Sequence, residues 1–339
     1  MPSAYHDLTN DTLTYLTNRS FADTETNDPT RAWFPGQQTG NMTYALESLS
    51  RRGISVAAYR APGTPAKIAS RHKAGGVTVR DIPPVSIKIG QGEQELINMR
   101  ALANASQATQ DAFINDAVDM GAAVAARFAL ARVSCLVNAS VAFTEEDGFD
   151  GVIIDYGRDA ALEVTAGTVW SDAAATILDD VADWHTTYAL ENGPAAAILV
   201  SQTTLANILS NTQVNDYLAF VGAQSGGSAV PAALTQWLQA RGLPPFAVVD
   251  HRIKTIDSGF RSIWPDDAAV FVPSPSTNYG AMVWTDTIQA RDVTTGARGD
   301  YGLTTVSWDE REPIETWTRS AAFAVPATGN PNATMKATI

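Results

Sequence analysis

The run Phe149-Asp150-Gly151-Val152-Ile153-Ile154-Asp155-Tyr156-Gly157 sets two carboxylates in an apolar, strand-like stretch, an arrangement that could serve glycoside hydrolysis. That chemistry needs a carboxylic acid to protonate the leaving oxygen. Asp150 and Asp155 are its only acids, and Gly157 closes the run without a third. Other candidates lack their partners. His6, His72, His185 and His251 are scattered without metal-ligand spacing. Ser225-Gly226-Gly227-Ser228 has neither the strand-turn-helix context of a nucleophile elbow nor the Lys of a phosphate loop. Trp184 beside His185 reads as helix core. Cys135 falls in an apolar helical pattern and reads as a buried, inert thiol; as the single cysteine it excludes an internal disulfide and a Cys-based zinc cluster. No acid, base and nucleophile converge, so a non-enzyme without cofactor or metal is expected.

The chemistry that remains is electrostatic. Residues 51–90 hold eight bases (Arg51, Arg52, Arg60, Lys67, Arg71, Lys73, Arg80, Lys88) and one acid, Asp81, a balance of +7 in a chain of net charge −13. The next hundred residues, 91–190, hold 16 acids and four bases. A basic segment beside an acidic one suits docking on another copy of the same chain, and Arg60, Lys67, Arg71, Lys73 and Arg80 are the candidate inter-subunit contacts. The alternative is a solvated charged face.

Those residues need a carrier. Ile54, Val56 and Ala58, then Val77, Val79, Val85, Ile87 and Ile89, read as the arms of a long hairpin, with the Pro- and Gly-rich 61–76 as its tip. Residues 1–50 are polar without sustained periodicity, which predicts an extended arm ordered by neighbours. Three- and four-residue spacing from Phe113 to Cys135 predicts one helix over about 106–139. A strand at 149–156 and a helix at 173–190, stopped by Asn192-Gly193-Pro194, follow. Residues 195–275 read as a compact αβ insertion: a strand at 196–201, helices near 205–209, 214–220 and 231–241, and strands at 246–256 and 268–272. The tail from Gly280 is strand-like and rich in Trp and Thr.

Composition sets bounds. The 339 residues, 45% apolar and 17% charged, belong to a folded protein. The opening MPSAYHDLTN lacks a basic region followed by an apolar core, so no signal peptide is expected, and no run of 18 apolar residues predicts a membrane span. Strong acidity argues against broad nucleic-acid binding, because phosphate would be repelled.

The order of these parts resembles the phage major capsid protein E family, the lambda-type shell subunit. The likeness is carried by the basic hairpin with Ile82-Pro83-Pro84 before its return strand, the long helix, Tyr156-Gly157 followed by Trp170, the segment Ile263 to Val270, and Glu312-Pro313 with Trp317 in the tail. The resemblance implies an α+β fold of the Hong Kong 97 type: an N-terminal arm at 1–50, an extended loop at 51–90, a peripheral domain at 91–194 and 276–339 built on the long helix, and an axial domain at 195–275. It further implies hexamers and pentamers of an icosahedral shell enclosing double-stranded DNA without sequence-specific contacts, assembled in the host cytoplasm into the virion, with a separate scaffolding protein, a portal and a decoration protein as partners.

Two alternatives stand beside it. An encapsulin-like cellular compartment shell shares the assembly physics. The run from Phe149 to Gly157 resembles the strand motif of family 18 glycoside hydrolases, without its catalytic Glu.

Overall fold

The computed structural model describes residues 8–47, 77–100, 105–143, 152–220, 224–225, 228–255, 259–277, 279–287, 290 and 302–339. The N-terminal segment is not extended. Helix α1 (Asn10–Thr26) begins at Thr9, whose hydroxyl accepts from the Thr12 amide and satisfies one free N–H of the first turn. A 3-10 turn, Pro29–Trp33, follows, capped by Asp28. Then come β1 (Gly36–Gln38), β2 (Thr43–Glu47), β3 (Val77–Asp81), β4 (Pro84–Gly92), α2 (Glu93–Arg100) and α3 (Ala105–Asn138). Strands β5 (Ser140–Ala142), β6 (Ile153–Asp155) and β7 (Glu163–Thr165) lead to α4 (Ile177–Asn192), ended by Gly193 at φ 72°. The αβ stretch comprises β8 (Ala197–Val200), α5 (Gln202–Ser210), α6 (Thr212–Phe220), β9 (Gln224–Ser225), β10 (Ser228–Ala229), α7 (Pro231–Ala240), β11 (Phe246–Val248), β12 (Arg252–Thr255), β13 (Gly259–Ser262) and β14 (Ala268–Val272). The tail holds β15 (Gly280–Thr285), β16 (Thr304–Arg311), β17 (Ile314–Thr328) and β18 (Met335–Thr338).

Two sheets organise two cores. In the first sheet, β17 pairs antiparallel with β16, β15 and β4, and β1 adds parallel to β15. Beneath it lies α3, whose 34 residues extend about 50 Å. Phe113, Ala117, Met120, Val124 and Phe128 are buried along one face at helical spacing. Over Thr109–Asn138 this helix is long and apolar enough to cross a membrane by composition alone, but here α1, β4, β5 and β17 pack around it. The second sheet runs β11-β8-β14-β18-β7, and α4 packs Val181, Trp184 and Tyr188 into the core beside it.

Helix α1 lies on both α3 and the first sheet. Its inward face is half hydroxyl. Thr14 Oγ1 donates to the Thr305 carbonyl at 3.0 Å and accepts from the Thr305 amide at 3.0 Å, while Thr17 Oγ1 accepts from Thr305 Oγ1 at 2.9 Å. Each buried hydroxyl is thereby satisfied, and the helix seats without a continuous apolar stripe. Where α1 crosses α3 the backbones approach so closely that a Cβ on Gly121 would overlap the Thr17 carbonyl oxygen. Arg132 of α3, 1% exposed, closes the contact by pairing with both Glu25 and Asp28. The extended reading of this segment therefore gives way to a helix at 10–26, because its buried polar groups find partners far along the chain.

The expected hairpin is also rearranged. Its outgoing arm at Ile54, Val56 and Ala58, with the rest of 48–76, lies outside the described residues; ahead of it β2 pairs with β3. The return arm divides at Ile82-Pro83. Pro83 and Pro84 have no N–H to continue a ladder, Ile82 is buried, and β4 joins β17 instead of β2. The αβ block is wider than 195–275. β14 is buried along its whole length, so it needs neighbours on both edges, and β18 from the tail supplies one of them with β7 beyond. The long helix, α4, α7 and β14 fall within a few residues of their expected places.

Cys135 is fully buried in α3, and burial pushes its thiol up to about 12. Iodoacetamide at pH 8 should leave the native subunit unmodified and alkylate it fully in denaturant, as read by mass spectrometry. Rapid native alkylation would show an opening of α3.

Candidate inter-subunit surface

Arg60, Lys67, Arg71 and Lys73 lie outside the described residues. Arg80 is described, on β3 at the root of the ribbon, and its guanidinium is engaged within its own subunit. Nη2 donates to the Asp155 carbonyl at 2.6 Å, and the guanidinium carbon sits 5.8 Å from the centre of the Tyr156 ring. Arg80 Nε is buried without a hydrogen-bond partner among the described residues. Tyr156 joins three elements. Its hydroxyl donates to the Pro326 carbonyl of β17 at 2.6 Å, the Tyr44 hydroxyl of β2 lies 3.4 Å away, and its amide donates to the Ala139 carbonyl just past α3 at 3.0 Å. Burial pushes the pKa of Tyr44 up and that of Tyr156 further still, so both hydroxyls keep their protons.

The acids gather on α2 and the first half of α3. Glu93, Glu95, Asp111 and Asp119 are exposed, and Asp116 beside them is half-buried. Burial raises the pKa of Asp116, the hydrogen bond from Gln91 Nε2 at 2.9 Å opposes the shift, and the neighbouring carboxylates Glu95 and Asp119 add to it. At Asp119 this ridge enters an open groove of about 1380 Å³ between α1, α3, β4 and the β12–β13 hairpin. The floor is Ala122, Ala123 and Ala126; Ile87 and Ile89 of β4 form one wall, Ile253 and the 72%-exposed Phe260 the other. Small floor residues let a chain lie close to α3. β4 pairs with β17 on one edge, and no strand among the described residues pairs with its other edge.

The candidates for catalysis do not assemble. Asp155 Oδ1 accepts from the Gly157 amide at 2.8 Å, closing a local turn, and position 157 offers no acid. His185 is made less basic by burial, and Trp184 stacks on Trp170 inside the second core. Sequence reasoning singled out Arg80 by charge alone and gave Tyr44 no role. Their common partner, Tyr156, is remote in sequence, and only the pair Tyr156-Gly157 marked the place.

A long helix beneath an antiparallel sheet, beside a second αβ core, is an arrangement shared with solved phage capsid structures. A protein described as the capsid protein of an Escherichia coli CFT073 prophage has this fold at a TM-score of 0.62 and 14% identity, with 98% of this chain and 99% of that one covered. A phage-related protein from Bordetella bronchiseptica RB50 gives 0.54 at 10% identity, covering 96% of each chain. The capsid of Myoviridae phage XM1 gives 0.50 at 13% identity, over 91% of this chain and 90% of that one. No curated protein matches the sequence.

The family model of phage major capsid protein E matches residues 34–339, and the chain belongs to that family. It is a structural subunit of a phage shell, self-assembling and located in the virion. Family membership favours the phage reading over the compartment shell and the hydrolase.

Proposed function

We propose that the subunits form hexamers and pentamers of an icosahedral head around double-stranded DNA, joined by the basic loop of one copy lying on the acidic ridge of α2 and α3 of the next. The observation that carries this reading is charge placement. Residues 48–76 hold Arg51, Arg52, Arg60, Lys67, Arg71 and Lys73 with no acid, whereas α2 and the first half of α3 expose Glu93, Glu95, Asp111 and Asp119. Each exposed pair contributes less than about 1 kcal/mol, but a closed shell repeats it at every symmetric contact. The first core, around α3 and β17, serves as the peripheral unit, and the second, around β14, as the axial unit at the capsomer axes. Assembly takes place in the host cytoplasm with a scaffolding protein and a portal. The subunit has no catalytic role, and its acidity keeps packaged DNA mobile.

Arg71→Glu with Lys73→Glu tests this. The double variant should fold normally by circular dichroism yet give fewer particles by sedimentation and negative-stain microscopy, with wild-type assembly the more salt-sensitive. Normal particle yield at every salt concentration would reduce the loop to a solvated face. Particles held by such contacts should also run as monomers on a denaturing gel after boiling, and a ladder of multimers would refute the noncovalent reading.

A further inference from the structure

The segment that carries the basic loop is held at a narrow root. β2 and β3 pair with each other over five residues each and with no other strand among the described residues. A lone two-stranded ribbon has little stiffness of its own, so its angle to the body is set by what grips its base. Tyr44 and Ile82 are buried in the first core, and the polar part of the grip centres on one residue. Tyr156 meets β2 through Tyr44, β3 through Arg80, β17 through Pro326 and the end of α3 through Ala139.

We propose that Arg80 and Tyr156 act as a clamp that fixes the direction in which the loop leaves the subunit, and through it the angle at which neighbouring copies meet. The proposal rests on the reading that the loop lies on a second copy. The chemistry at the root suits a fixed joint. The one proton of the Tyr156 hydroxyl is spent on Pro326, which leaves its oxygen to accept from Tyr44. Arg80 presents a flat guanidinium that stacks toward the ring while Nη2 donates to the Asp155 carbonyl, a combination that a lysine ammonium cannot reproduce. Asp155 lies on β6, which is paired with β5 directly after α3, so the clamp takes its bearing from the longest rigid element of the subunit.

The lever is long enough to matter. The three residues from the clamp to the ribbon's far end reach about 10 Å, so a swing of about 17° at the root moves that end by about 3 Å. A shift of that size separates the N and O atoms of an ion pair. Positioning, and not charge, is then the contribution of Arg80, as it is of Lys88, which lies over the Trp317 ring of its own subunit.

The test measures direction in the unassembled full-length subunit. Spin labels are placed at Glu47→Cys, on the ribbon's far end, and at Tyr15→Cys, a 64%-exposed site on α1, while the buried Cys135 stays unlabelled. Arg80→Lys, which keeps the charge, and Tyr156→Phe, which keeps the ring, should each shift or broaden the label distance by about 3 Å or more. Without labels, Arg80→Lys should assemble with wild-type salt dependence into particles of mixed diameter. Arg71→Glu with Lys73→Glu should leave the label distance as in the wild type. An unchanged distance in both root variants would overturn the clamp even if the charge-reversed loop fails to assemble. A shifted distance with uniform wild-type diameters would overturn the link to the meeting angle. Normal assembly of the charge-reversed loop would instead overturn loop docking and leave the distance result standing.

Discussion

Arg132→Ala is expected to lower the folding stability of the subunit by about 3–5 kcal/mol, read from the urea midpoint by circular dichroism. The guanidinium is buried between two carboxylates on separate parts of the N-terminal segment. Nε donates to Asp28 Oδ2 at 3.0 Å, and Nη2 pairs with Glu25 and with Asp28 at 2.8 Å. Removing it strands two negative charges where water has little access, and that penalty exceeds the loss of the contacts themselves. Asp28 cannot simply turn away, because Oδ1 also accepts from the Thr30 amide at 2.8 Å and holds the 3-10 turn. Arg31 provides the control. It approaches Glu25 at 3.9 Å with 55% of its side chain exposed, so Arg31→Ala should cost less than about 1 kcal/mol. A similarly small loss in Arg132→Ala would show that the carboxylates rehydrate at little cost.

Gly121→Val should lower stability by about 3 kcal/mol. The atoms that a Cβ would meet are the Thr17 carbonyl oxygen, Ser20 Cβ at 3.0 Å and the Phe21 amide nitrogen at 3.1 Å, two of the three backbone of α1. No side-chain rotation relieves that overlap, so α1 must lift from α3. In Gly121→Ala the steric cost is partly offset by about 1 kcal/mol of helix propensity, and a smaller loss is expected. Hydrogen exchange locates the effect: amides of residues 10–26 should lose protection before those of α3. Wild-type protection in α1 of the valine variant would mean that the crossing tolerates a side chain.

Both changes act on the segment that sequence reasoning took for an arm. Helix α3 is legible because its small and apolar residues keep helical spacing throughout, and β14 because Ala268–Val272 is an unbroken apolar run. Helix α1 is not. Its seat is made by Thr14, Thr17 and Asn18, whose hydroxyls and amide look solvent-facing until β16 is beside them. It also precedes residue 34, where the family match starts. The basic island was visible as charge, but the split between β3 and β4 depends on which strand offers β4 a ladder. The role of Arg80 depends on an aromatic ring about eighty positions away. Charge can be counted along a chain; the partner that redirects a charge cannot.

The pairing of chain-distant segments has a kinetic side. Thr14 bonds Thr305, β1 lies on β15, and β7 joins β18, so each core has elements that wait for a partner encoded more than 150 residues away. Topologies of this kind fold slowly, because loop entropy is lost before the contacts that offset it form. Until α1 docks, the groove it shares with α3 and β4 lacks the side that α1 contributes. Competence to join a shell thus arrives late and all at once, which keeps half-folded chains out of the growing lattice and makes the rate of subunit maturation a natural throttle on assembly.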